Sequence, residues 1–426
     1  MSTEPGRGLI RAVGFRGLVL MCINAVIGAG VFLLPRKSYD LLGPFSLWAP
    51  LLFAIPVFIL VLCFAEAGSH FDEPGGAYVY ARAAFGSFVG FETGWMNWLA
   101  RVTSLASLTN AFVISLGDFS HTLTVGLPRI CIIIAMILIL TGIHLTGIRY
   151  GAASIYVLTI GKVLPLLGFI VVSIAFWKSN PIPHSLTLPG AGTNWGDAAL
   201  FMLFAYAGFE NLGVPAGEFK NPRRDLPFAL LLGTLAIAVI YSLVQLGAMS
   251  ALSDLSKAER PIASAATVLI GPIGGLIVTI GALVSMAGTN SGTVLEGSRM
   301  LYAISQERRL APLSYIHPRF HTPTLAILVH SGFALAVAIG GSFEQLALLS
   351  AVARLATYLV TCLALPRLRK LNEGFRTPGL ILPILGTLVS LMFVFSLDHW
   401  KLIAGAIALA VGAGVYAVSS KGTSAT

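Results

Sequence analysis

The chain has 426 residues, of which 56% are hydrophobic and only 11% charged, with 27 Lys+Arg against 18 Asp+Glu and a formal net charge of +9. Water-soluble proteins carry about 25% charged residues, so this composition excludes a soluble globular domain and points to lipid as the solvent. The surplus of cations does not point to nucleic acid, because it is spread over short segments between apolar runs.

Taken in chain order, twelve runs reach the roughly 20 apolar residues that cross hydrocarbon: 14–35, 44–68, 87–116, 128–147, 151–176, 198–219, 226–249, 273–298, 322–340, 344–365, 379–396 and 399–418. The first is long and lacks a small-residue cleavage site, which reads as a span and not a removable signal. With the N-terminus inside, the cytoplasmic segments hold seventeen cations, the external loops seven, and three lie within spans. That asymmetry is the positive-inside pattern. It places both termini in the cytoplasm of an all-α polytopic protein of the cytoplasmic (inner) membrane. The four cysteines all fall within apolar runs and form no CxxC pair, so no metal site or disulfide framework is expected. The chain carries no HExxH, Walker A loop or nucleophile elbow, which disfavours an enzyme.

The first run carries Gly28-Ala29-Gly30 at its middle, where glycine weakens a helix by about 0.8–1 kcal/mol relative to alanine. Run three holds Arg101 and run ten Arg354. Lys162 lies about ten residues into run five, about 15 Å deep at 1.5 Å per residue, half the thickness of the hydrocarbon core. Run six repeats the defect of run one: Ala205, Ala207 and Gly208 interrupt it and Glu210 follows. Run eight carries the polar pair Thr289 and Asn290, expected to face the same interior.

Gly28 and Gly208 are 180 residues apart, each in the first span of a possible five-span unit. Paired broken helices at matching positions point to a transporter binding site, where freed N–H groups meet an anion and freed carbonyls a cation. The competing reading is close helix packing through small residues. Three buried cations against one buried acid leave a formal excess of positive charge, which suits a carboxylate or presses Lys162 towards its neutral form. Arginine stays charged, so Lys162 and Glu210 are the candidates for proton coupling. The alternative, a structural pair of one arginine with Glu210, stays open.

Five motifs in order resemble the amino acid–polyamine–organocation transporters: "AVIGAGVF" (25–32), "FAEAGSHFDEPGGAYVYARAAFG" (64–86), "TIGKVLPLLGF" (159–169), "FAYAGFEN…GEFKNPRRDLP" (204–227) and "GSRMLYAISQERRLAP" (297–312). The resemblance covers about residues 14–420. It implies a five-plus-five inverted repeat, with repeat one over 14–176, repeat two over 198–365, two extra helices over 379–418, and tails at 1–13 and 419–426. It further implies that Gly28, Ala29 and Gly30 hold a substrate carboxylate and that carbonyls near Phe204, Ala205 and Ala207 hold its amine. Phe204 takes the gate position, and Lys162 stands where sodium-coupled relatives bind sodium. Ala100, Arg101 and Leu105 fall on the pocket side of span three, with Asn290 and Arg354 also expected at the wall. Arg101 departs from the small or polar residue usual there, which speaks against cationic substrates. The expected function is secondary transport of L-amino acids, neutral ones first and acidic ones second, with a proton as co-substrate. Amino acid exchange and transport of another organic solute remain open. No cofactor is expected.

Overall fold

The structure, a computed structural model, describes residues 11, 13–117, 119–177, 188–190, 193, 195–258, 260–306, 310–371 and 374–420. Most of the expected tails, and the loop cations Arg7, Lys178, Arg308, Arg309 and Lys421, lie outside these residues.

Fifteen α-helices make up the described chain, with no strand among those residues beyond one bridge joining Val13 to Phe219. The first run is a bent pair, α1 (Phe15–Val26) and α2 (Gly30–Leu42), with 45° between its halves. There follow α3 (Ala49–Ser69), the short α4 (Ala77–Phe85), α5 (Ser87–Leu116), α6 (Gly126–Leu145) and α7 (Ile148–Ala175). The second half begins with α8 (Trp195–Tyr206) and α9 (Pro222–Ala251), then α10 (Pro261–Ile270), α11 (Pro272–Ser305), α12 (Thr324–Gly340) and α13 (Phe343–Leu371). Two further helices close the chain, α14 (Ile381–Phe395) and α15 (His399–Ser420).

Every apolar run but the sixth coincides with a helix or with the bent pair, while α4 and α10 are connectors. Eight helices are individually long and apolar enough to cross a membrane, and α1–α2 together make a ninth. At 12, 17 and 15 residues, α8, α12 and α14 fall short of that length.

Run six departs most from expectation. Helix stops at Tyr206, and the rest of the run is turns and two short 3₁₀ segments at 209–211 and 216–218. Gly208 sits at φ 130°, in the left-handed region that glycine tolerates. Gly213 and Pro215 then prevent the chain from rewinding into a long helix.

The interior follows from which helices carry polar residues. α5 and α11 pack along each other at the centre, and α11 alone buries Ser285, Thr289, Asn290, Thr293, Glu296 and Arg299. α3 packs on α9, α5 on α11 and α6 on α12, the pairs that the expected repeat relates. Outward faces are apolar and open: Ile139, Val157 and Phe395 are 62%, 69% and 82% exposed, which water would penalise and lipid does not.

Candidate functional site

The two chain breaks meet at one place. A Cβ on Gly208 would stand 2.3 Å from the carbonyl oxygen of Ala25, and a Cβ on Gly30 only 3.2 Å from Cα of Ala205. Only glycine lets the backbones approach this closely. Tyr241 of α9 ties the breaks together, its hydroxyl lying 2.9 Å from the carbonyl oxygen of Ala205 and 3.3 Å from that of Val26.

At the first break the helix ladder is lost between Val26 and Gly30. The N–H groups of Gly28, Ala29 and Gly30 have no acceptor among the described residues. The carbonyls released on the other side are answered by side chains. Lys162 donates to the carbonyl oxygens of Asn24 (3.0 Å) and Ile27 (2.5 Å) and to Oγ1 of Thr289 (2.9 Å), which uses all three of its protons. Ser285 reaches the carbonyl oxygens of Ile27 (3.2 Å) and Gly28 (3.1 Å). Lys162 is fully buried, the fifteenth residue of the 28-residue α7.

A buried ion network surrounds the second break. Arg101 lies 3.3 Å from Oε1 of Glu210 and 3.1 Å from Oε2 of Glu296. Arg354 lies 3.0 Å from Oε1 of Glu210 and donates to Ser104 at 2.7 Å. Glu210 also accepts from Gly208 N (2.8 Å), Asn211 Nδ2 (2.7 Å) and the Tyr358 hydroxyl (3.1 Å). The expected three-to-one excess of cations is thereby corrected. Glu296 is a second interior acid, so the network holds two cations and two anions, and Lys162 stands apart from it. Both arginines, and not one, pair with Glu210.

Between the breaks lies a small cavity. Of the expected residues, Gly28, Ala29, Gly30, Phe204, Ala205, Ala207, Arg101 and Arg354 are on its wall. Ala100, Leu105 and Asn290 are not. Ala100 packs with Met96 and Ala353. Leu105 is fully buried in the apolar core, about 100° round α5 from Ser104. Asn290 turns away from its neighbour Thr289 to donate to Thr109 at 3.0 Å. The wall is completed by Ala25, Val26, Ser104, Ser107, Leu108, Thr289 and Thr293. Helical spacing from residues already singled out carries the missed ones: Ser104 and Leu108 are three and seven after Arg101, Glu296 is seven after Thr289, and Tyr358 is four after Arg354. Tyr241 has no such signal in its own run.

The histidines four apart, His317 and His321, do not form a metal pair with a third ligand among the described residues. His317 Nδ1 instead accepts the N–H of Arg319 at 3.2 Å, closing a turn.

The two breaks flank this cavity, and Lys162 lies on the carbonyls freed at the first. The sequence profile of the amino acid permease family fits residues 13–420. This chain belongs to the amino acid permease family. Among similar permeases, the serine/threonine exchanger SteT of Bacillus subtilis is 31% identical over 385 residues, covering 88% of this chain and 86% of its own. Two uncharacterized transporters of Mycobacterium tuberculosis are each 26% identical, one covering 96% of this chain and 91% of its own, the other 92% and 88%. As a permease, the protein is a multi-pass membrane transporter of amino acids and not an enzyme.

Proposed function

We propose that this permease carries small neutral L-amino acids by alternating access, with Lys162 as the proton-coupling group. The observation that carries the reading is the meeting of the two breaks around one cavity, with free N–H groups on one and helix-end carbonyls on the other. Gly28, Ala29 and Gly30 are assigned the substrate carboxylate and the carbonyls of Phe204, Ala205 and Ala207 its ammonium, as at helix ends generally. Phe204, on the cavity wall, is assigned the gate.

Neutral substrates follow from charge. Arg101 and Arg354 on the wall are matched behind it by Glu210 and Glu296, so the site as a whole carries no surplus charge for an acidic or basic side chain. Small substrates follow from the little space the cavity leaves between Phe204, Leu108, Arg101 and Arg354. Glu210 is given a positioning role, since five groups direct donors or positive charge at its two oxygens, a set that suits the anion. Lys162 has no ion-pair partner among the described residues, and its proton holds α1 to α7 and α11. Loss of that proton to the cytoplasm loosens the first break and favours release.

The arrangement in the membrane is proposed with it: twelve spans in a five-plus-five inverted repeat, both termini cytoplasmic, in the inner membrane. The loop cations support that orientation. A second reading is obligatory exchange, favoured by the name of the SteT relative. Proteoliposomes separate the two. Uptake of labelled L-serine or L-threonine into vesicles empty of amino acid, driven by an inward proton gradient, supports coupling. Uptake that needs internal amino acid and ignores pH supports exchange, and absence of any amino acid flux defeats both.

A further inference from the structure

Each break is tied to a neighbouring helix by a buried cation. Lys162 of α7 holds the carbonyls of the first, and Arg101 of α5 holds Glu210 of the second. The two ties differ in one respect. An ammonium can give up its own proton, whereas a guanidinium stays charged. The hold of Arg101 on Glu210 therefore changes only when a second anion competes for it.

Glu296 is that competitor. Arg101 places Nη2 3.3 Å from Oε1 of Glu210 and Nη1 3.1 Å from Oε2 of Glu296. Arg354 has Glu210 as its one carboxylate partner among the described residues. The two acids are held unequally. Five groups direct donors at Glu210, whereas Glu296 accepts from Arg101 alone among the described residues. The carboxylate with a single donor is the member of the network open to a proton. It also stands on a separate element, since α11 packs along α5 while Glu210 belongs to the unwound segment.

Other ionisable groups surround α11 without entering this competition. His330 of α12 lies over Gly297, and His144 of α6 sits 2.9 Å from Ser291. The Cys22 thiol of α1 is within electrostatic reach of both acids. Lys162 of α7 is bonded to carbonyls and to Thr289, and Arg299 of α11 itself pairs with Glu218 at 3.0 Å. Arg82 of α4 is in an exposed pair with Glu73, and α10 has no ionisable residue.

We propose that Glu296 is a positioning residue of the transport cycle, which takes up a proton and thereby hands Arg101 wholly to Glu210. The inference rests on the functional reading for the role of the second break. With Glu296 a carboxylate, the guanidinium is shared and the second break is held loosely. With Glu296 a carboxylic acid, Arg101 closes on Glu210 and sets Phe204, Ala205 and Ala207 for the substrate ammonium. The one bond made is O–H on Glu296, with a proton taken from water, and that proton returns to water when substrate leaves. Glu296 stands in the last third of α11, toward the end that the loop cations put in the cytoplasm. Its proton therefore exchanges with the cytoplasm, and the response to external pH stays with Lys162.

The test is L-serine binding by the purified full-length protein, read from the rise in thermal midpoint with serine concentration at acidic and at neutral pH. Glu296→Gln keeps the side-chain length and an oxygen for Arg101. It should bind serine like the parent at acidic pH and about tenfold tighter than the parent at neutral pH. In uptake assays at neutral pH it should lower KM and maximal rate together, because a second break that stays held releases substrate slowly. Glu296→Asp, which keeps the acid, should keep a pH-dependent affinity. In the parent protein, infrared difference spectra at neutral pH should show a carboxylic acid C=O band appearing on serine addition. Lysine cannot give that signal, and its reading does not depend on any variant folding. Glu296→Gln weaker than the parent at both pH values makes the residue structural and overturns the proposal. So does a variant that follows the parent's pH profile, or a parent spectrum without the acid band. Serine that leaves the parent's midpoint unmoved at both pH values overturns the functional reading, and this inference with it.

Discussion

The ammonium of Lys162 lies 2.5 Å from the carbonyl oxygen of Ile27, the first residue beyond the end of α1. One side chain thus substitutes for the helix that the chain abandons. It supplies protons to the carbonyls of Asn24 and Ile27, which Thr289 and, at Ile27, Ser285 also reach, in a buried site where an unsatisfied group costs about 1–3 kcal/mol.

Lys162→Ala should therefore lower stability by about 2–4 kcal/mol, since the carbonyls of Asn24 and Ile27 each lose this donor while Thr289 still reaches them. The same variant should carry substrate at a rate insensitive to external pH. Thermal midpoints and uptake at several pH values check both parts. Uptake in the variant that still rises with proton gradient removes Lys162 from the coupling step.

Glu296→Ala leaves the buried Arg101 guanidinium with Glu210, which Arg354 already shares. Breaking a buried pair from one side costs about 3–5 kcal/mol, whereas replacing both partners by apolar groups of similar size is often neutral. The expectation is a severe loss of folded protein for Glu296→Ala and recovery in Arg101→Met with Glu296→Leu, measured by size-exclusion profile and thermal midpoint. Without the paired charges, the recovered double variant should also show a changed order of preference among serine, alanine and leucine. An unchanged order makes the pair purely structural.

Gly208→Ala should be among the most damaging single-methyl additions. The residue sits at φ 130° and its new Cβ would meet the Ala25 carbonyl at 2.3 Å. Strain of this kind costs about 1–3 kcal/mol before the clash is counted. Gly332→Ala is the control, since nothing lies within 4 Å of its Cβ position and α12 is regular there. Expression and midpoint of the two variants compare the positions directly, and equal behaviour contradicts the contact between the breaks.

Tyr241→Phe deletes one hydroxyl from between Val26 and Ala205. The expected stability loss is modest, about 0.5–1.5 kcal/mol for one hydrogen bond. Its effect on transport should be larger than on folding, because the bond joins the two segments assigned to the two ends of the substrate. A raised KM with little change in midpoint is the signature to look for in uptake assays.

Hydropathy and small-residue placement carried much of this architecture in the linear chain. Each apolar run but the sixth became helix along its length because lipid forces a backbone to satisfy its own hydrogen bonds. The breaks at Gly28–Gly30 and at Ala207–Gly208 were legible because glycine weakens the middle of a long apolar helix. The midplane charges Arg101, Lys162, Glu210 and Arg354 were legible for the same reason, since each is costly in hydrocarbon. Run six was misread beyond Tyr206, where a local apolar pattern cannot reveal that the chain stays in turns.

What the sequence by itself determined, then, was where the chain must break and which charges must find partners, since both are local conflicts between a residue and its solvent. Tertiary structure alone decided who those partners are. Glu296 balancing Arg101, Lys162 choosing the carbonyls of α1, and Asn290 turning to Thr109 while Thr289 faces the cavity all depend on how helices far apart in the chain are rotated against one another. Apolar periodicity leaves that rotation open within a wide arc, and it is fixed only when the facing side chains close-pack and satisfy each other's polar atoms.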